Sequence, residues 1–261
     1  MITSEDKVSY LPRTLFAVGK RKLKFISNLL RRPKLIKLDG IILEVSKTFS
    51  QSMRQRLYSG SYEGREAVIV KEKIEPDDVV IELGGGLGFI SCLCAKKIGS
   101  SKVYTYEANP ELIPIIKRTH ESNGVNPKVI NAIVSLNAGE IRSFYLNEDF
   151  FNSSVFLIGN NRRQVQVITV DLNEEVAKIR PTFLIIDVEG AEYELLLGLD
   201  FQTIKKISLE YHREILGAEK IDKIRAHLTR SGFSVDSEIS LRNVIFLERL
   251  REMEERDSSD E

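Results

Sequence analysis

A glycine-rich turn and a few polar residues that close apolar runs carry most of the chemistry open to this sequence. The β-branched run Val79-Val80-Ile81 leads into Glu82-Leu83-Gly84-Gly85-Gly86-Leu87-Gly88. Glycines at such a turn let the backbone approach a ligand closely at the start of a helix. A nicotinamide fingerprint needs glycine at its first, third and sixth positions. Counted from Gly84 the sixth position is Phe89, and counted from Gly85 the third is Leu87. What is present is glycine at alternate positions, Gly84, Gly86 and Gly88, behind Glu82. That pattern suits a ligand with an amino-acid end and a ribose but no pyrophosphate, namely S-adenosylmethionine. Glu82 would receive its ammonium, directly or through water. The competing reading is a plain turn, but three clustered glycines are costly in backbone entropy.

Glu107 ends the next strand-like run, 19 residues beyond Gly88. An acid at about that distance accepts the ribose hydroxyls in adenosine-binding folds. Asn131, in the third strand-like run, either reads the adenine edge or caps its turn. Further along, Asp187, Glu210 and His212 close two more strands. Ends of adjacent parallel strands lie about 5 Å apart, and Glu210 and His212 share a face by the period of two. His212 is the natural general base near neutrality, with Asp187 orienting it or the substrate and also counted among the cofactor contacts. An alternative is a divalent cation such as magnesium on Asp187 and Glu210; no metal ligands are otherwise assigned. Glu189 and Glu192 read as helix-start charges. His120 and His227 receive no role. Cys92 and Cys94 read as small packing residues, and Arg162 and Arg163 as solvated charges.

These residues need elements to hold them. Residues 79–83, 102–106, 129–133, 183–186 and 204–210 read as strands, as do 141–146, 155–158, 165–170, 233–235 and 241–247. Helical patterns fall at 90–98, from Asn109-Pro110 to Gly124, at 192–199 and around Ile221, Ile224 and Leu228. Apolar strands alternating with amphipathic helices imply a parallel sheet covered on both faces. Ligands bind such sheets at the carboxyl ends of the strands, where the residues above lie.

The 38 basic and 38 acidic side chains cancel only in total. Residues 1–37 carry +8, residues 38–247 carry −4 and residues 248–261 carry −4. The balance excludes a broad nucleic-acid surface on the middle segment. Thr14-Leu15-Phe16-Ala17-Val18 is too short for a signal-peptide core, no run spans a bilayer, and the expected compartment is the cytoplasm. Leu23, Ile26 and Leu30 recur at helical spacing among Lys20, Arg21, Lys22, Lys24, Arg31, Arg32, Lys34 and Lys37. The expectation is a helix packed on the domain with a solvated basic face, rather than a peripheral membrane contact through residues 20–37.

The sequence resembles the FkbM family of S-adenosylmethionine-dependent methyltransferases. The glycine loop and Glu107-Ala108-Asn109-Pro110 are shared with many methyltransferases. Gly60-Ser61-Tyr62-Glu63, Asn152-Ser153-Ser154, Thr169-Val170-Asp171-Leu172 and Ser208-Leu209-Glu210-Tyr211-His212 are closer to the family. Ile186-Asp187-Val188-Glu189-Gly190-Ala191-Glu192 is the most specific match. The resemblance covers about residues 40–247. It departs at the loop, where Gly85-Gly86 and Glu82 replace the commoner residues. It implies an α/β, Rossmann-like class I methyltransferase fold. That means a mostly parallel seven-stranded sheet with helices on both faces, an N-terminal extension (1–37) and an acidic tail (248–261). It also implies Tyr62 and Ala108 at the cofactor and methyl transfer to a hydroxyl of a sugar, polyketide or other small metabolite. Competing readings are a non-catalytic S-adenosylmethionine-binding module and a nicotinamide oxidoreductase.

Overall fold

The computed structural model describes residues 25–146 and 163–249. The chain divides into two compact units that part between Gly64 and Arg65. That boundary lies inside the span 38–247 expected to form one domain.

The first unit contains helix α1 (residues 25–31), strands β1 (Leu35–Leu38) and β2 (Ile41–Glu44), and helix α2 (Gln51–Ser59). β1 and β2 pair antiparallel, with Leu38 opposite Ile41. The turn between them is Asp39-Gly40, both at positive φ (43° and 87°), the pair favoured in two-residue hairpins. Ser50 caps α2 by accepting from Met53 N at 3.1 Å. On α1 the apolar stripe faces outward: Ile26, Leu29 and Leu30 are exposed. This departs from the expected packed helix. The reason is visible on the opposite side, where Asn28 Nδ2 donates to Tyr58 O at 3.2 Å and fixes which face turns inward.

The second unit is built on a seven-stranded sheet. In chain order its elements are α3 (Gly64–Lys73), β3 (Val80–Leu83), α4 (Phe89–Ile98), β4 (Val103–Glu107), α5 (Ile113–Ser122) and β5 (Lys128–Asn131). They continue with β6 (Ile133–Ser135), β7 (Ile141–Leu146), β8 (Arg163–Asp171), α6 (Leu172–Ile179), β9 (Phe183–Ile186) and α7 (Glu192–Gly198). β10 (Lys206–Glu210), α8 (Arg213–Arg230), β11 (Phe233–Val235) and β12 (Val244–Arg249) complete the unit. The sheet order is β5-β4-β3-β9-β10-β12-β11. β5 through β10 run parallel, and β12 is antiparallel to both its neighbours. β3 and β9 are buried at every position, as central strands covered on both sides must be. The chain goes from β3 outward to β4 and β5, then restarts at β9 on the other side of β3. The strand order therefore reverses between β3 and β9, and sheets of this kind bind ligands at the carboxyl ends beside such a switch point.

Several elements differ from expectation. The third strand, expected over 129–133, breaks at Ala132. β5 stays in the main sheet, while β6 joins a separate three-stranded sheet of order β6-β8-β7. Ala132 N donates to Glu107 O at 3.2 Å, which ends the β5 ladder there. α5 begins at Ile113 rather than at Asn109-Pro110. Asn109 Oδ1 accepts from Glu111 N at 2.9 Å, a local turn that delays the helix. β12 begins at Val244, because Arg242 takes a positive φ (58°) and breaks the run from Leu241. The expected strand at 155–158, Asn152-Ser153-Ser154, Arg162, Lys20–Lys24 and most of the acidic tail lie outside the described residues.

Candidate active site

Register places the loop and the acids together. Leu83 pairs with Ile186 across β3 and β9, so Gly84 and Asp187 leave the sheet side by side. Asp187 N donates to Leu83 O at 2.9 Å, and Gly84 N donates to Tyr106 O at 2.9 Å. A Cβ on Gly84 would stand 1.9 Å from Asp187 O, and one on Gly85 2.6 Å from the Thr105 methyl. A Cβ on Gly88 would meet Ile116 at 3.0 Å and His120 Nε2 at 3.1 Å. The glycines therefore serve first to press the loop onto β4, α5 and the Asp187 turn.

The residues expected at the cofactor fall into two groups. Glu107 closes β4 and faces the loop: it accepts from Gly86 N at 3.0 Å and from Asn109 N at 2.7 Å. Burial pushes its carboxyl up to about 7 against those backbone donors. Gly86 (φ 53°) and Ala108 flank it, Ala108 packing beside Ile133, Phe144, Leu146 and Val167. Glu82 and Asn131 point elsewhere. Glu82 is buried under the loop, where its carboxylate accepts from Ser91 N at 3.1 Å and Thr105 Oγ1 at 2.8 Å. Burial raises it to about 8. It supports the loop from beneath instead of presenting a free carboxylate to an ammonium. Asn131 Nδ2 donates to Glu107 O at 2.8 Å and Ala108 O at 3.1 Å. Of its two expected roles, the geometry is that of the turn cap. Tyr62 belongs to the first unit.

At the next strand ends, Asp187, Glu210 and His212 offer ligand atoms that all lie within 4.8 Å of one another. Two residues read as helix-start charges join them. His212 Nδ1 meets Glu192 Oε1 at 2.5 Å, and Nε2 lies 3.2 Å from Glu189 Oε2 and 3.4 Å from Asp187 Oδ1. Glu192 is fully buried, and its Oε1 also accepts from Gly190 N at 3.1 Å. Glu189 reaches the ring from a positive φ of 52°, a conformation uncommon outside glycine. Glu210 is held by Asn243 Nδ2, and Asn243 by Arg65 at 2.8 Å. Glu66, from the first turn of α3, packs against Glu210. Burial, with Glu210's charge added, raises Glu66 to about 7.

This setting changes the protonation expected of His212. Burial works against its charge, but the hydrogen bonds to Glu189 and Glu192 and the charge of Asp187 outweigh it. The imidazole is held up to about 11. These partners favour the charged imidazolium, which works against the general-base role expected of it. Asp187 moves the other way from an ordinary carboxylate. Burial and Glu210 raise it well above the usual range, and His212 only partly offsets them.

Sequence reasoning missed three contributors. Glu66 and Glu192 sit in first turns of helices, where acids are common for dipole reasons alone. His120, expected on a polar face, is buried and meets Ser91 Oγ through Nε2 at 3.0 Å. Burial lowers it to about 4, so it stays neutral beneath the loop. Its i, i+4 relation to Ile116 was the available signal.

The chain matches the methyltransferase FkbM domain over residues 85–235. The hexuronic acid methyltransferase AglP of Haloferax volcanii is 24% identical over 191 residues, 70% of this chain and 76% of that protein. Among solved structures, precorrin-6y C5,15-methyltransferase from Geobacter metallireducens is 14% identical, with a TM-score of 0.45, over 78% of this chain and 91% of that one. A methyltransferase from Pyrococcus furiosus is also 14% identical, with a TM-score of 0.45, over 88% of this chain and 98% of that one.

Proposed function

The chain belongs to the FkbM methyltransferase family, and from that premise we propose that it transfers the methyl group of S-adenosylmethionine to a hydroxyl oxygen of a small acceptor, a sugar above all. The observation that carries this reading is the convergence of Asp187, Glu210 and His212 at strand ends whose register sets them beside the glycine loop. The similarity to a protein named for methylating hexuronic acid supports a sugar acceptor.

The residues present fit the cofactor's donor set. Glu107 accepts one backbone donor at each oxygen, from Gly86 and Asn109, which leaves each oxygen a further lone pair for a hydroxyl. The acidic strand ends favour a cation. S-adenosylmethionine, when bound, supplies a methyl carbon on a sulfonium leaving group. In this reading Glu107 accepts from the ribose, Ala108 lines the cofactor, and Gly84, Gly86 and Gly88 keep the loop close. Asp187 takes the proton of the acceptor hydroxyl, the role first expected of His212. Burial and Glu210 raise its proton affinity above that of an ordinary carboxylate, the direction a base requires. His212, as the imidazolium, holds Asp187, Glu189 and Glu192 in one constellation, and Glu210 fixes the far side of it. Most of the acceleration then comes from aligning acceptor and methyl carbon, worth about 7–11 kcal/mol when orientation is complete.

The test uses methyl-labelled S-adenosylmethionine with a panel of neutral sugars and uronic acids. Label should appear as an O-methyl group, and Asp187→Asn should lower turnover roughly 100-fold or more. His212→Ala should lower turnover while S-adenosylhomocysteine affinity stays nearly unchanged. Binding of S-adenosylhomocysteine with no transfer to any hydroxyl would favour the non-catalytic module.

A further inference from the structure

We infer that α1 and the start of β1 form a docking surface for an anionic lipid bilayer. Four aliphatic side chains lie exposed together in sequence: Ile26 at 52%, Leu29 at 37%, Leu30 at 80% and Leu35 at 58%. At about 100° per residue, Ile26, Leu29 and Leu30 fall within one stripe on α1, a little over a quarter of the helix circumference. Asn28 lies on the opposite side and ties the helix to α2 through Tyr58 O. The apolar stripe is therefore the face turned away from its own unit.

Charge identifies the occupant. Arg31, on the last turn of α1, and Arg32 and Lys34, just after it, are exposed, and Lys20, Arg21, Lys22, Lys24 and Lys37 flank the stripe in sequence. No acidic residue occurs between Asp6 and Asp39. A second copy of the same surface would be repelled by this charge. A nucleic acid would take the cations and leave the leucines in water. A shaped protein partner is usually met by aromatic anchors set in pockets, and the stripe is aliphatic and convex. A fluid surface with negative headgroups over an apolar interior satisfies both halves at once. Among the described residues no helix is long and apolar enough to cross a membrane, so the contact is one of lying on the surface.

Sedimentation of the full chain with vesicles is the test. Vesicles of phosphatidylcholine with about one-third phosphatidylglycerol should carry the protein into the pellet, and phosphatidylcholine alone should leave it in the supernatant. Half-molar salt should release most of it, since screening acts within a few ångströms there. Arg31→Glu with Lys34→Glu should weaken partitioning roughly thirtyfold, and Leu30→Ser roughly tenfold. These side chains are exposed, so S-adenosylhomocysteine affinity and the circular-dichroism spectrum should match those of the unaltered chain. Three results would overturn the inference: no pelleting with anionic vesicles, equal pelleting with neutral ones, or variants that pellet like the parent. Self-association without lipid that Leu30→Ser abolishes would overturn it in favour of a contact between copies.

Discussion

Replacing Gly84 by alanine probes the contact on which the candidate site depends. The new Cβ would stand 1.9 Å from Asp187 O and 3.0 Å from Asp187 C. Both atoms are backbone, set by β3–β9 pairing, so no side-chain rotation can relieve the overlap. Gly84 also has a φ of +92°, which costs an L-residue about 1–2 kcal/mol. Forcing the two strand ends apart adds about 1–3 kcal/mol, the usual range for overpacking. The total is about 2–5 kcal/mol. At roughly 2–4 °C per kcal/mol for a chain of this size, Tm should fall by roughly 5–20 °C. Gly124→Ala is the control. Its φ is +68° and nothing lies within 4 Å of the added atom, so only the backbone strain of about 1–2 kcal/mol applies. Melting followed by circular dichroism gives both Tm values, and calorimetry gives S-adenosylhomocysteine affinity. Gly84→Ala should lose the larger share of stability and should alone lose affinity. Equal falls in Tm with affinity intact would refute the idea that loop and acid turn are locked together.

Three more outcomes are expected. Glu107→Ala should weaken S-adenosylhomocysteine roughly 10–100-fold, the range for hydrogen bonds to a charged group, as read by calorimetry. Glu192→Gln should lower the pH at which the His212 imidazole titrates by NMR, because one of the carboxylates holding it up is gone; an unmoved titration would remove Glu192 from that role. The contribution of His120 to stability should fall as pH drops from 6.5 towards about 4, against the opposite trend of the raised carboxyls Glu66, Glu82 and Glu107. Over that interval the unfolded chain binds a proton at His120 and the folded chain, whose value is lowered, does not. Relative to a His120→Gln variant, the unaltered chain should therefore lose stability over that interval in acid denaturation.

Much of this arrangement was legible because strand ends announce themselves. Asp187 and Glu210 follow apolar runs, and in a parallel sheet the residue after such a run is at the ligand edge by topology. Glu107 was legible from its spacing to Gly88. What escaped was direction. Glu82 and Asn131 have the right types at strand positions, yet neighbours claim their polar atoms: Ser91 and Thr105 for Glu82, and the carbonyls of 107 and 108 for Asn131. No period in the sequence encodes which neighbour wins. The same limit hid the protonation of His212, which depends on three carboxylates drawn from a single turn and helix start. The outward face of α1 was readable as a stripe, but which way it turned depended on Asn28.

The interruption at Ala132 bears on how such a chain diversifies. Among the described residues, none between 133 and 171 adds a strand to the main sheet. The excursion leaves after β5 and comes back through α6 to β9. Insertions, deletions or wholesale exchange within it therefore leave the pairing of β3, β4 and β9 undisturbed. Descent can rework that segment quickly while the strands holding the loop and the acid turn drift slowly. Substitution rates among relatives should therefore change where the ladder of β5 stops.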